Sequence, residues 1–369
     1  MYTELSNEIN EWCDEVVSQE TAGLLDSGEC SPLPLYQEIC QKGWMNYANI
    51  AEDKQYFFHL AEVCKVANAY SGVLGNMICV NSACAMILGA FGNAEAKQFA
   101  QGIIEGKKLA AFSLTEPQAG TDVNNIQASA TLDGDEWVID GEKYLVTGAM
   151  LADAILVVVK TNPDVATKNG SSMLLVSTRS KGMEITPTPK MSANGYASCH
   201  IRFTGCRAPS DRIIGKVNGA WAAMSMAGGI ERVLVAACCV GLCKRIGEYL
   251  YEYSNDRIVD GKPLYELSNI RHQIVDIAIK VRAADALVGQ AISALASGTN
   301  ATNAVCAAKV FAAQMQQEVS MTAMNVMGGR AYLKAYPVER WLREGLLSLW
   351  AGGTNELQKN LMSRSPFDR

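Results

Sequence analysis

Few residues in this chain are suited to acid–base or nucleophilic work, and their surroundings narrow the choice. Glu231 heads an apolar run, Gly229-Ile230-Glu231-Arg232-Val233-Leu234-Val235-Ala236. A carboxylate there is costly unless it faces a cleft or a partner. Glu231 is therefore a functional carboxylate, or it pairs with Arg232 or sits favourably in the first turn of its helix. Only three histidines exist (His59, His200 and His272), which nearly excludes a histidine-rich metal site. No Gly-x-Ser-x-Gly supplies a nucleophile elbow for a hydrolase. The twelve cysteines are scattered. Cys13, Cys30, Cys40, Cys64, Cys79 and Cys84 show no paired ligand spacing, and the crowding of Cys238, Cys239 and Cys243 suits neither a zinc ribbon nor an iron–sulfur run. They read as reduced, buried small hydrophobes of a cytosolic protein. No Gly-x-Gly-x-x-Gly is present, and Gly328-Gly329 lacks a preceding strand.

Those residues need a scaffold, and 369 residues with 49% hydrophobic and 19% charged content can supply one. Such a chain is neither disordered nor a disulfide-stapled mini-protein. Its net charge of −6 argues against nucleic acid as a partner. No apolar run is expected to span a membrane, the best being the strand-sized 154–159, so no membrane partner is expected. The opening MYTELSNEINEWCDE has no basic stretch followed by an apolar one, so no secretory leader is expected and a cytoplasmic location is.

Apolar periodicity changes twice along the chain. Residues 1–107 read as a helical domain, with helices over 33–39, 57–67, 73–88 and 94–104. Residues 108–219 alternate with period two. Short strands are expected over 126–132 and 136–139 around Asp133-Gly134, over 143–147 after a turn at Asp140-Gly141, and over 155–160, 172–177, 183–187 and 198–203. This middle segment reads as a small antiparallel barrel or sandwich. Residues 220–369 read as a bundle, with helices over 225–253, 268–295, 305–327, 337–349 and 355–362. The whole is an α+β multidomain chain.

That order carries a set of motifs. Leu114-Thr115-Glu116-Pro117 leads to Gly120-Thr121-Asp122 at the sheet entry, and Lys143 and Thr147 precede Ala152-Asp153. Gly328-Gly329 and Tyr332 precede Tyr336-Pro337-Val338-Glu339-Arg340 and Arg343, and Gly353-Thr354 precedes Gln358. Together they resemble the acyl-CoA dehydrogenase family over nearly the whole length. The resemblance implies an FAD enzyme that removes the α proton and β hydride of an acyl thioester. It also implies a dimeric or tetrameric assembly and electron transfer to an electron-transfer flavoprotein. The substrate would be an acyl-CoA or a carrier-protein-bound acyl group.

The chemistry calls for a base, donors to the thioester oxygen and a hydride acceptor. Most relatives carry the base immediately before the Gly-Thr of the last loop, where this chain has Gly352. The isovaleryl-CoA and long-chain dehydrogenases carry it on a bundle helix in a Glu-Arg motif, and Glu231-Arg232 matches that position. Gly352 keeps a backbone N–H that can serve as a thioester donor, or it simply terminates a helix. By the resemblance, Thr115 and Thr147 meet the flavin edge and Thr121 lies near the pyrophosphate. Arg257 reaches the pyrophosphate of a neighbouring subunit, or is a solvated partner of Asp256. Asn325, Gly329, Thr354 and Glu356 match positions around the adenosine end, while Arg232 and Asn194 are candidates for the lip of the acyl pocket. Glu116, before Pro117, reads as a turn scaffold, and Arg340 and Arg343 read as structural.

Several positions depart from the family pattern. Leu145 stands where a Trp is frequent, Asn325 replaces Gln, and Asp260 replaces Phe. Residues 46–57 lack the usual Pro and Gly-Gly loop. Gly352 with a Glu-Arg pair also resembles crotonobetainyl-CoA reductase-type members, which run toward the saturated product. The alternatives are thus an enoyl-thioester reductase, or a catalytically silent member that binds flavin or thioester.

Overall fold

The computed structural model describes residues 2–45, 56–298 and 300–367, with the side chains of residues 2 and 3 left aside. Residues 46–55, which hold most of the departure noted between the early helices, lie outside the described residues. The chain forms two compact units. One gathers Met1–Cys30, Ile50–Gly75 and Glu231–Arg369, and the other gathers Ser31–Asn49 and Asn76–Ile230. Six helices come first: α1 (Tyr2–Val16), α2 (Gln19–Ser27), α3 (Leu33–Gln41), α4 (Tyr56–Tyr70), α5 (Gly72–Phe91) and α6 (Ala94–Ile104). Asn93 opens α6 as its N-cap, its side chain accepting the Ala96 N–H.

The second unit is built on one sheet. Its strands are β1 (Ala110–Ser113), β2 (Ser129–Asp133), β3 (Glu136–Thr147), β4 (Ala154–Lys160), β5 (Ser171–Ser177), β6 (Met183–Thr188) and β7 (Ser198–Pro209). The single turn α7 (Thr167–Gly170) leads into β5. The order is β1-β4-β2-β3-β7-β6, with β5 also paired to β4. Most pairs are antiparallel, as alternation predicts, but β1 and β2 both pair with β4 in parallel. β4, buried along Ala154–Val159, is flanked by strands and covered on both faces, which explains its unbroken apolar run. Asp133 and Glu136 close the expected hairpin.

Asp140-Gly141 does not turn the chain. β3 continues through it with a bulge, because Gly141 takes φ 124° and lies so close to β2 that a Cβ would sit 2.6 Å from Ala128 Cα. The core of this unit is formed by Ala111, Ile139, Ile155, Val157, Val176, Ile201 and Phe203, among others.

The first unit is helical. Its long members are α8 (Ala220–Asp256), α9 (Ser268–Ser297) and α10 (Thr302–Met327), followed by α11 (Val338–Leu346) and α12 (Asn355–Met362). Val233, Ala237, Val240, Ile246, Ile274, Val288, Ala312, Val319 and Trp341 fill its core. Gly241 lies inside α8 without interrupting it. A Cβ there would lie 2.0 Å from the Lys65 carbonyl, so glycine lets α4 approach α8. Gly298 ends α9 at φ 70°, as expected. The little hairpin β8 (Ile258–Val259) and β9 (Lys262–Pro263) turns on Asp260 and Gly261, both at positive φ. That turn geometry favours Asp-Gly and explains the acid where relatives have Phe. Arg343 bonds Asp26 and Glu339, and Arg340 bonds Glu344, so these two arginines brace helices.

Two helices, α5 and α8, contain 18-residue windows of mean hydropathy 1.7, long and apolar enough to cross a membrane by composition. The sequence reading expected none. The apolar character comes from Val, Leu, Ile, Ala, Cys and Met, and 72% of each window is buried inside the protein.

Candidate active site

Consecutive residues of α8 grip one glycine. The Glu231 carboxylate accepts the Gly352 N–H at 3.1 Å, and Arg232 Nε donates to the Gly352 carbonyl at 3.0 Å. Gly352 takes φ 67° and Gly353 φ 93°, a region that L side chains enter at a cost of about 1–2 kcal/mol. A Cβ on Gly352 would also meet Arg232 Cγ at 3.1 Å. Glycine is thus required by both backbone conformation and space. Gln358 Nε2 donates to the carbonyls of Gly352 and Gly353 at 3.0 and 3.1 Å. Lys309, fully buried, donates to the carbonyls of Leu349 and Gly353 and to Asn355 Oδ1. Burial pulls its pKa down to about 8. Arg232 adds to that shift, while Cys239, Glu231 and Glu356 oppose it. A half-buried carboxylate on α8 and a backbone donor on the 349–355 turn are therefore joined by a hydrogen bond.

Thr354 N-caps α12, its hydroxyl accepting the Leu357 N–H at 3.2 Å, and Glu356 is exposed in the first turn of that helix. Arg257 lines a cavity of about 540 Å³ together with Arg330, Tyr253, Tyr336, Glu252 and Asp256. Asn325 is exposed near the end of α10, and Gly329 is exposed in the 3₁₀ turn Gly328–Tyr332.

The threonines belong to the other unit. Glu116 is buried, with Lys143 Nζ 2.7 Å away and the backbone N–H groups of Gln127 and Ala128 donating to it. Lys143 also donates to the Leu114 carbonyl. Burial lowers the Lys143 pKa to about 8 against the pull of Glu116. This ion pair fastens the Thr115-Glu116-Pro117 segment to β3, where the Tyr144 N–H donates to the Thr115 carbonyl at 2.8 Å. Thr147 ends β3 and shares a 3.3 Å hydroxyl contact with Ser198. Gly148 follows at φ 82°, pressed so close that a Cβ would lie 2.2 Å from the Tyr196 ring. Tyr196 in turn accepts from Asn81, whose Oδ1 receives the Ala110 N–H. Thr121 is exposed in the turn before Val123–Asn125. Asn194 spends its amide on the backbone N–H and carbonyl of Lys190, closing its own loop.

This arrangement fits FAD. Thr115, in the segment tied to β3 through Tyr144, and Thr147, at the end of β3, offer neutral hydroxyls. Ser113 Oγ, two residues before Thr115, is buried with no partner among the described residues. Exposed apolar Leu145, at φ 57° in the bulged end of β3, and exposed Met150 flank Thr147 in the chain. Such a mixture suits a flat ring with a polar edge, and the two guanidiniums beside the 540 Å³ cavity suit a pyrophosphate. Sequence reading missed Lys309, Asn81, Tyr196 and Ser198. Only Lys309 left a signal, a cation on the buried stripe Val305, Lys309, Ala312, Gln316.

Comparison with known proteins shows the family. The family model for the acyl-CoA dehydrogenase middle domain matches residues 111–206, and that for the C-terminal domain matches residues 218–366. A probable acyl-CoA dehydrogenase of Bacillus subtilis, YngJ, is 32% identical, with 76% of each chain covered. The caffeyl-CoA reductase-Etf complex subunit CarC of Acetobacterium woodii is 30% identical over 72% of this chain and 70% of its own. Butyryl-CoA dehydrogenase of Megasphaera elsdenii shares the fold at a TM-score of 0.90, covering 99% of this chain and 97% of that one at 24% identity. The chain belongs to the acyl-CoA dehydrogenase family, FAD-dependent oxidoreductases acting on the CH–CH group of acyl thioesters.

Proposed function

We propose that this chain dehydrogenates an acyl thioester between its α and β carbons, with Glu231 as the base and the Gly352 N–H as a donor to the thioester oxygen. The observation that carries this reading is the 3.1 Å bond between them. A thioester oxygen that takes the Gly352 N–H displaces the carboxylate, and the carbon next to that carbonyl then lies beside the released base. The N–H stabilises the negative charge that grows on the oxygen as the α proton leaves. The carboxylate takes that proton, a role worth on the order of 10²–10⁴ in rate. Arg232, through its bond to the Gly352 carbonyl, keeps the donor aimed.

FAD, when bound, supplies the hydride acceptor for the β carbon. Thr115 and Thr147 would hold its ring edge and Thr121 its pyrophosphate, with Asn325, Gly329, Thr354 and Glu356 toward the adenosine end. Arg257 would hold the pyrophosphate of a neighbouring subunit, which requires a dimer or tetramer. Asn194 and Arg232 would border the acyl arm. Electrons would leave to an electron-transfer flavoprotein, as the name of the CarC complex suggests for that relative. Twelve free cysteines suit a reducing, cytoplasmic setting.

The likeness to a caffeyl-CoA reductase subunit favours a second reading, reduction of an enoyl thioester, in which protonated Glu231 returns the proton to the α carbon. Anaerobic mixing with saturated and unsaturated CoA and carrier-protein thioesters tests both. Bleaching of the oxidised flavin by a saturated thioester supports dehydrogenation. Reoxidation of the reduced protein by an enoyl thioester alone supports reduction, and no response to either class refutes both.

A further inference from the structure

The loop that carries Gly352 makes short backbone bonds of its own, from the Trp350 and Ala351 N–H groups to the Leu347 carbonyl and from the Gly353 N–H to the Trp350 carbonyl. It contains two adjacent glycines at positive φ, and glycine loses more freedom on ordering than any other residue. A further tie comes from α10. Lys309 Nζ reaches the Leu349 carbonyl at 3.1 Å, the Gly353 carbonyl at 2.8 Å and Asn355 Oδ1 at 2.8 Å. Three acceptors match the three donors of one ammonium. They come from the residue three before Gly352, the one directly after it and the first residue of α12, so the clamp spans Gly352 on both sides. Gln358 and Arg232 hold the Gly352 carbonyl itself.

We propose that Lys309 is a positioning residue for the thioester donor: its ammonium closes the 349–355 turn and thereby sets the direction of the Gly352 N–H. The inference rests on the reading of Gly352 as that donor. A neutral amine keeps two N–H groups for three acceptors, so deprotonation releases one edge of the turn. The charged and titratable groups that bear on Lys309 are Glu231, Arg232 and the Cys239 thiol on α8 and Glu356 on α12. With burial they place its loss of a proton near pH 8, before that of an ordinary lysine. Lys309 touches no reacting atom, and its effect is carried by the loop.

The test uses full-length, FAD-loaded protein and a carbonyl-labelled acyl-CoA whose β-methylene is replaced by sulfur, so that no hydride can leave. Infrared difference spectra read the polarisation of the bound thioester carbonyl. The parent at pH 7 should show a narrow band displaced from its position in water. Lys309→Met should retain its FAD but show a band that is broadened or returned toward the free position. Its kcat should fall about 10²-fold, the scale of a misplacement of roughly 1 Å, with KM changed far less. A folded Lys309→Met with the parent's band overturns the inference. If that variant does not fold, the parent's band between pH 7 and 9.5 decides. Movement toward the free position supports the clamp, and a fixed band overturns it. A parent with no displaced band at pH 7 refutes the donor role of Gly352, and the inference with it.

Discussion

Adding one methyl group to either of two adjacent glycines separates chemistry from loop stability. Gly352→Ala and Gly353→Ala both force a side chain into the left-handed region, at φ 67° and 93°, each at about 1–2 kcal/mol. Both methyls are crowded as well. At Gly352 it meets Arg232 Cγ at 3.1 Å, and at Gly353 it meets Gln358 Nε2 and Leu357 Cδ2, each at 2.9 Å. The stability losses should therefore be similar, with Gly353→Ala the larger. The N–H groups differ in use. That of Gly353 is spent on the Trp350 carbonyl at 3.0 Å, whereas that of Gly352 points at the Glu231 carboxylate. Relief of strain at Gly352 turns its peptide and pushes Arg232, which holds the carbonyl of the same residue. Loss of one such donor is worth about 10²–10³ in kcat. Gly352→Ala should thus approach that loss, while Gly353→Ala should lose less than tenfold despite equal or greater destabilisation. Urea unfolding gives the stabilities, and steady-state kinetics with a dye acceptor gives kcat. Equal rate losses in the two variants, or an unimpaired Gly352→Ala, would refute the donor role.

Removing Lys143 should be costly for the fold: Lys143→Met strands the buried Glu116 carboxylate, a loss of about 3–5 kcal/mol measurable by urea unfolding. Its titration has a definite sign. The folded pKa of about 8 lies below the unfolded value of 10.5, so in that window the unfolded chain binds more protons and this group makes stability rise with pH. The slope reaches at most about 1.4 kcal/mol per pH unit, fades as pH falls below the folded value, and adds to a contribution of the same sign from Lys309. A parent whose stability is flat between pH 8 and 10 would contradict it. Arg257→Ala should release FAD during gel filtration at salt concentrations where the parent keeps it, and unchanged retention removes Arg257 from the pyrophosphate.

The large elements were legible because each has a local cause. Periods of 3.6 and 2 separated the helices from the strands, and Gly298, Asn93 and Asp133-Gly134 marked ends and a turn where the structure has them. What misled was glycine serving proximity. Asp140-Gly141 reads as a turn, yet Gly141, like Gly241, lies inside a continuous element, pressed against Ala128 or Lys65. Local propensity carries no information about a neighbour distant in the chain. The parallel pairing of β1 and β2 with β4 was hidden for the same reason, since alternation says which residues face inward and nothing about strand direction. At the site, Glu231 stood out as an acid in an apolar run. Its bond to Gly352, 121 positions away, became visible only in the fold. The partners of Lys309 and Asn81 are backbone groups, which have no sequence signature, and the side chains of Asn355 and Tyr196, 46 and 115 positions away.

The proposal that Glu231 is the base is tested most directly by stopped-flow mixing of FAD-loaded Glu231→Gln with a saturated acyl thioester that bleaches the parent's flavin. The amide retains an oxygen that can accept the Gly352 N–H, so FAD and thioester binding should persist. The bleaching rate should fall by on the order of 10²–10⁴. Bleaching at the parent's rate would show that another group takes the α proton.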